Sequence, residues 1–97
     1  MRKITAEAKR AFENGYRFKQ GNTEVKIYPD GYRELRLHNN VIAYRNDRGI
    51  WIQSAGWETN TTKERLNGLN GVNIHQKDFQ WYLNGEAWNG LPVLVAG

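Results

Sequence analysis

The chain has 97 residues, a net charge of +4, two histidines and no cysteine. That length makes one domain, residues 1–97, and the missing thiols exclude a disulfide framework, a thiolate zinc site and a cysteine nucleophile. His38 and His75 give no HExxH-type spacing, so neither a metal nor a cofactor is expected.

The charge is uneven: residues 1–48 carry eleven Lys or Arg against six acids, and residues 49–97 carry three against four. A basic N-terminal half is compatible with a nucleic-acid or nucleotide partner. Four tryptophans and five tyrosines exceed what a small core needs, and such side chains serve binding surfaces and stacking platforms. The basic start, Met1 to Ile4, runs into an amphipathic stretch and no window approaches eighteen apolar residues, so neither a secretory signal nor a membrane span is expected.

In chain order, Thr5 is placed to cap a first helix whose apolar stripe is Ile4, Ala8, Ala11 and Phe12, and Gly15 ends it. Tyr16 to Lys19 suggests a short extended piece. From Thr23 the period changes to two, with Thr23, Val25 and Ile27 on one face and Glu24, Lys26 and Tyr28 on the other, a strand closed by the turn Pro29-Asp30-Gly31. Tyr32 to His38 forms the next strand, with Leu35 and Leu37 inward, and Asn39-Asn40 is the expected hairpin turn. Val41 to Arg45 and Ile50 to Ser54, joined through Asn46 to Gly49, complete a four-strand meander.

Ala55 to Leu69 then reads as a loop running into a short helix. Thr61 and Glu64 form a capping box, Leu66 and Leu69 give a thin apolar face, and Gly68 is expected to stop the helix in a left-handed conformation. After it, Val72, Ile74 and Gln76 alternate with Asn73 and His75 and lead through a Lys77-Asp78 turn to Phe79, Trp81 and Leu83, which alternate with Gln80 and Tyr82 in a second hairpin. Asn84-Gly85 is the strongest hairpin signal and folds Glu86 to Trp88 back on Trp81 to Leu83. The apolar tail from Leu91 either adds a strand or enters a homo-oligomeric interface. The fold class is therefore α+β: an antiparallel β-sheet, a four-strand meander plus a C-terminal hairpin, with an N-terminal helix and a short central helix on one face.

The runs Leu37-His38-Asn39-Asn40, Ala55-Gly56-Trp57, Thr61-Thr62-Lys63-Glu64-Arg65-Leu66-Asn67-Gly68-Leu69, Gln76-Lys77 and Trp81-Tyr82-Leu83-Asn84-Gly85 resemble a family of small proteins encoded by tailed bacteriophages. The likeness extends from the first helix to Gly90, and departs where this chain has Asn70-Gly71 in place of the proline and glycine its relatives tend to have. It implies a phage source and a size class, and carries over no catalytic residues.

No nucleophile with a base, no GxSxG, no Walker loop and no glycine-rich fingerprint is present, so the chain is expected not to be an enzyme. The expected mode of action is binding, in counter-defence or host takeover in the cytoplasm of the infected host. The first reading is a phosphate-bearing ligand, nucleic acid or a nucleotide signal, held by cations among Lys19, Lys26, Arg36, Lys63, Arg65 and Lys77 and by the rings of Trp57, Tyr82 and Trp88. The expected ligand-binding surface is the loop, helix start and neighbouring turn: Trp57, Thr59, Thr61, Thr62, Lys63, Arg65 and Lys77. The alternative is a stoichiometric inhibitor of a host or defence protein, using exposed Tyr, Trp and Arg and the apolar tail.

Overall fold

A computed structural model describes residues 2–96. Helix α1 (Lys3–Asn14) precedes a run of five strands, β1 (Phe18–Gln20), β2 (Thr23–Ile27), β3 (Arg33–Leu37), β4 (Asn40–Asn46) and β5 (Gly49–Ile52). Helix α2 (Asn60–Asn67) separates these from β6 (Ile74–Lys77), β7 (Gln80–Leu83), β8 (Glu86–Ala87) and β9 (Val93–Ala96). The strands form two antiparallel sheets: β1-β2-β3-β4-β5-β9, and β6-β7-β8. The fold is α+β and largely β, as the periodicities require.

Both sheets and both helices close one core. Ala8, Ala11 and Phe12 of α1 pack with Val25, Leu35, Leu37, Ile42, Ala43 and Ile52 of the large sheet, with Leu66 and Leu69 around α2, with Ile74 and Trp81 of the small sheet, and with Trp88 just after it. The described part of the apolar tail joins the large sheet as its last strand, Trp51 opposite Leu94 and Ile52 opposite Val93, so its inward half contributes to that core. Met1 and Gly97 lie outside the described residues.

Several local expectations are corrected. Helix α1 begins at Lys3 with Arg2 at the cap position and no side-chain cap; Thr5 lies inside it, buried, because its hydroxyl is used across the core. In α2 the N-cap is Thr59, whose hydroxyl accepts from the Thr62 N–H at 3.2 Å, and not Thr61. The capping box fails because the Glu64 carboxylate accepts from the Thr5 hydroxyl and the Arg65 guanidinium and does not turn back to the helix start. Gly68 stays right-handed, φ −70°. It is glycine for space: a Cβ there would collide with the Thr5 methyl.

Two hairpin turns sit one residue away from their expected places. The β3–β4 turn centres on His38 and Asn39, φ 50° and 67°, and the β6–β7 turn on Asp78 and Phe79, φ 52° and 67°. The second shift takes Phe79 out of the strand and into the turn itself, since β7 starts at Gln80. Phe79 is 96% exposed, while Trp81 stays buried. Asn84-Gly85 makes its expected turn, with φ 51° and 90°, and pairs Leu83 with Glu86.

Candidate functional site

The loop before α2 is held from its base. The Trp57 N–H donates to the Ser54 carbonyl at 2.9 Å across Ala55 and Gly56, both at positive φ, 55° and 81°. Alanine at such an angle brings its Cβ against the following carbonyl, at a cost on the order of 1–2 kcal/mol, and the turn projects Trp57 outward, 56% exposed. Under it lies a cleft of about 210 Å³ lined by Leu37, His38, Asn40, Ile42, Trp57, Thr59, Thr61 and Thr62.

Four of the seven expected site residues therefore meet: Trp57, Thr59, Thr61 and Thr62, the last almost wholly buried. Lys63 stands on the first turn of α2 but does not line the cleft, and Lys77 is exposed at the end of β6 in the other sheet. Arg65 is 3% exposed and has no surface to offer a ligand. Its guanidinium donates to the Thr23 hydroxyl at 3.0 Å and the Thr5 hydroxyl at 3.0 Å, and pairs with Glu64, tying α2 to β2 and α1. Burial works to raise the Glu64 carboxyl, but the Thr5 hydroxyl, the backbone of Arg2 and the Arg65 charge outweigh it and hold it below the usual range. Of the rings expected to meet bases, Trp88 is buried against Trp81, centroids 6.2 Å apart, and Tyr82 stacks on His75 at 5.2 Å.

Aromatic rings and free cations meet elsewhere, on the face of the large sheet opposite the helices. Leu35, Ala43 and Ile52 point into the core, so Glu34, Tyr44 and Trp51, each next to one of them along a strand, point the other way. Tyr28, Tyr32, Tyr44 and Trp51 form a ladder with centroids 5.4, 6.3 and 6.1 Å apart, the last pair stacked within 8°. Arg48 lies over the Trp51 ring, 5.5 Å from its centroid, and the Trp51 indole N–H donates to Asn46 at 3.1 Å.

Glu34, 8% exposed, anchors the ladder from beneath. It accepts from the Tyr28 hydroxyl at 3.0 Å, the Tyr32 hydroxyl at 2.9 Å, and Arg36 at 2.7 and 3.0 Å. Burial pushes its carboxyl up, and these donors outweigh burial and leave it below the ordinary range. Tyr32 is pushed up to about 12, first by burial and then by its bond to the Glu34 carboxylate. Glu34 and Arg36 thus neutralise each other and fix the rings.

Beside Tyr28 the ladder opens into a groove of about 570 Å³ along the β1–β2 edge, lined by Arg17, Phe18, Lys19, Glu24, Lys26 and Ile27 among others. Its volume falls within the range of ligand pockets. Arg17, Lys19 and Lys26 take part in no ion pair among the described residues, so three free cations face one acid. On the far side of Tyr32, Asp30 and Asp47 border a separate recess and bound the cationic path there.

This surface lies outside the expected site, although the sequence carries part of its signal: Tyr28 alternates away from Val25 and Ile27, and Trp51 lies between Ile50 and Ile52. The register that sets Glu34 beside Tyr44 and Tyr44 beside Trp51 is not written in any local stretch of the chain. Among the described residues no group of three or more His, Cys, Asp or Glu could hold a metal ion, and no helix is long and apolar enough to cross a membrane. Residues 1–94 match the model of one protein family, described as Kyanoviridae Gp96 protein. Neither the curated proteins nor the solved structures gave a match.

Proposed function

The chain belongs to the Kyanoviridae Gp96 protein family, a phage protein family, and on that premise we propose that it is a non-enzymatic accessory protein that binds single-stranded nucleic acid on the outer face of its large sheet. In this reading phosphates lie along Arg17, Lys19 and Lys26, and bases stack on the ladder from Tyr28 to Trp51, with Arg48 at its end. The supporting observation is the joining of a groove with three free cations to a four-ring ladder that no helix covers. Stacking tolerates any base, since every base has a π-face, so the expected preference is for single strands and not for one sequence. The protein acts in the cytoplasm of the infected host, in counter-defence or host takeover.

A second reading rests on the cleft under Trp57. At about 210 Å³ it is below the size of a drug-sized pocket and suits one planar ring system, so a mononucleotide signal would place its base against Trp57 and leave its phosphate outside, toward Lys63. Native mass spectrometry of gently purified protein separates the two. Retained oligonucleotide, lost in Trp51→Ala and kept in Trp57→Ala, supports the sheet face. Retained mononucleotide, lost in Trp57→Ala, supports the cleft, and protein that holds neither after incubation with both overturns both readings.

A further inference from the structure

We propose, on the single-strand reading of the outer face, that the ladder takes up four successive nucleotides in a stretched, unstacked form, one base to each ring, and therefore prefers pyrimidine-rich strands. The spacing of the rings carries the proposal. Tyr28 and Tyr32 face each other across the β2–β3 turn, where the Tyr28 N–H donates to the Tyr32 carbonyl at 2.9 Å, and Tyr44 is opposite Trp51 in the β4–β5 register. The ladder thus crosses the strands, and its pitch follows a strand separation of about 4.8 Å that the backbone hydrogen bonds hold. Successive centroids are 5.4, 6.3 and 6.1 Å apart. Along a stacked strand the nucleotides repeat at about 3.4 Å, so a base on every ring requires a strand drawn out to roughly one and a half times that repeat or more.

The rings cannot close up to meet a stacked strand. The buried Glu34 carboxylate holds the hydroxyls of Tyr28 and Tyr32 at 3.0 and 2.9 Å, and Asn46 holds the Trp51 indole N–H at 3.1 Å. Tyr44 sits between two of these pinned rings. The ladder is a fixed template, and the strand conforms to it.

Stretching separates each base from the next, so stacking between bases is exchanged for stacking on rings. Every base gains a ring, but the loss is unequal: adenines stack strongly on one another and thymines weakly, so a thymine run gives up least. The result is a preference of composition and not of sequence. The cations fit the same path, since Arg17, Lys19 and Lys26 lie in the groove beside Tyr28 and Arg48 stands at the Trp51 end, which places charge for the backbone at both ends of the rings.

The test compares oligothymidine and oligoadenine of equal length at one salt concentration, by anisotropy titration and by the circular-dichroism stacking band of the oligoadenine with the protein signal subtracted. Oligothymidine should bind roughly tenfold tighter or more, a modest preference summed over the steps between the rings. The oligoadenine stacking band should collapse as it binds. In a Tyr44→Leu, Trp51→Leu double variant, which halves the ladder, oligothymidine binding should weaken and the preference should shrink toward equality. The first two results are read on the wild-type chain and do not depend on the variant folding. Equal affinities, a stacking band unchanged at saturation, or a preference undiminished in a folded double variant overturns the proposal and leaves the single-strand reading standing. Binding of neither oligonucleotide overturns both.

Discussion

Replacing Arg65 with alanine should destabilise the fold severely. The side chain is 3% exposed and serves three partners on three elements: Thr23 on β2, Thr5 on α1 and Glu64 beside it on α2. Both hydroxyls, on residues that are 0% and 1% exposed, keep the bonds they donate, Thr23 to Asn22 and Thr5 to Glu64, so each loses only the bond it accepts from Arg65, at the low end of the roughly 0.5–1.5 kcal/mol a hydrogen bond contributes. Breaking a buried ion pair by deleting one partner costs about 3–5 kcal/mol. The Glu64 side chain retains 30% exposure, so water takes up part of its charge and the ion-pair loss falls toward the lower end. The expected total is about 3–5 kcal/mol, a large share of the roughly 5–15 kcal/mol that holds a domain together. For this size each kcal/mol moves the melting point by about 4–8 °C, giving a fall of roughly 15–30 °C. Urea denaturation followed by tryptophan fluorescence measures it, with Arg65→Lys expected between the two because an ammonium cannot span three acceptors. A loss below about 1 kcal/mol would refute the reasoning and return Arg65 to the surface as a cation available to a ligand.

Two further outcomes follow from the same packing. Gly68→Ala should lower the melting point because its Cβ meets the Thr5 methyl, and Thr5→Ser, which removes that methyl and keeps the hydroxyl, should restore much of the loss; equal destabilisation in both backgrounds would contradict the close approach. Glu34 and Glu64 both have folded-state carboxyls held below their ordinary values. Depressed acids stabilise the fold above the unfolded pKa, about 4.3 for glutamate, and that stability is lost as pH falls through the folded value. Acid titration of stability should therefore be less steep in Glu34→Gln than in wild type below about pH 4, and an unchanged slope would contradict the anchoring role of Glu34.

What was legible in the sequence was what repeats locally. The alternation of Thr23, Val25 and Ile27 and the dipeptide Asn84-Gly85 each carry their structure in a few adjacent residues, and the strands and the turn are where they indicate. Phe79 shows how narrow that margin is, since a turn placed one residue early puts the most exposed large apolar side chain of the described residues into the strand with Trp81. Arg65 was not legible at all: its partners are 42 and 60 residues away, and nothing beside it in the chain distinguishes a buried guanidinium from a surface one. The outer-face ladder lies between these cases, each ring visible as outward but their meeting set by strand register, including the irregularity between Leu35 and Arg36. At Gly68 the local pattern points to freedom of angle, whereas the packing uses its smallness against Thr5.

The central claim is that the groove and ladder bind single-stranded nucleic acid, and the direct measurement is a salt-dependent titration of a fluorescent single-stranded oligonucleotide followed by anisotropy. If Arg17, Lys19, Lys26 and Arg48 each meet a phosphate, log K should fall against log salt with a slope of about −3, a loss of roughly 50-fold between about 50 and 200 mM. Lys26→Ala should make that slope shallower by about 0.7, and Trp51→Ala should weaken binding by about 1–3 kcal/mol with the slope unchanged. No binding at the lower salt, or binding indifferent to salt and to both substitutions, would contradict the account.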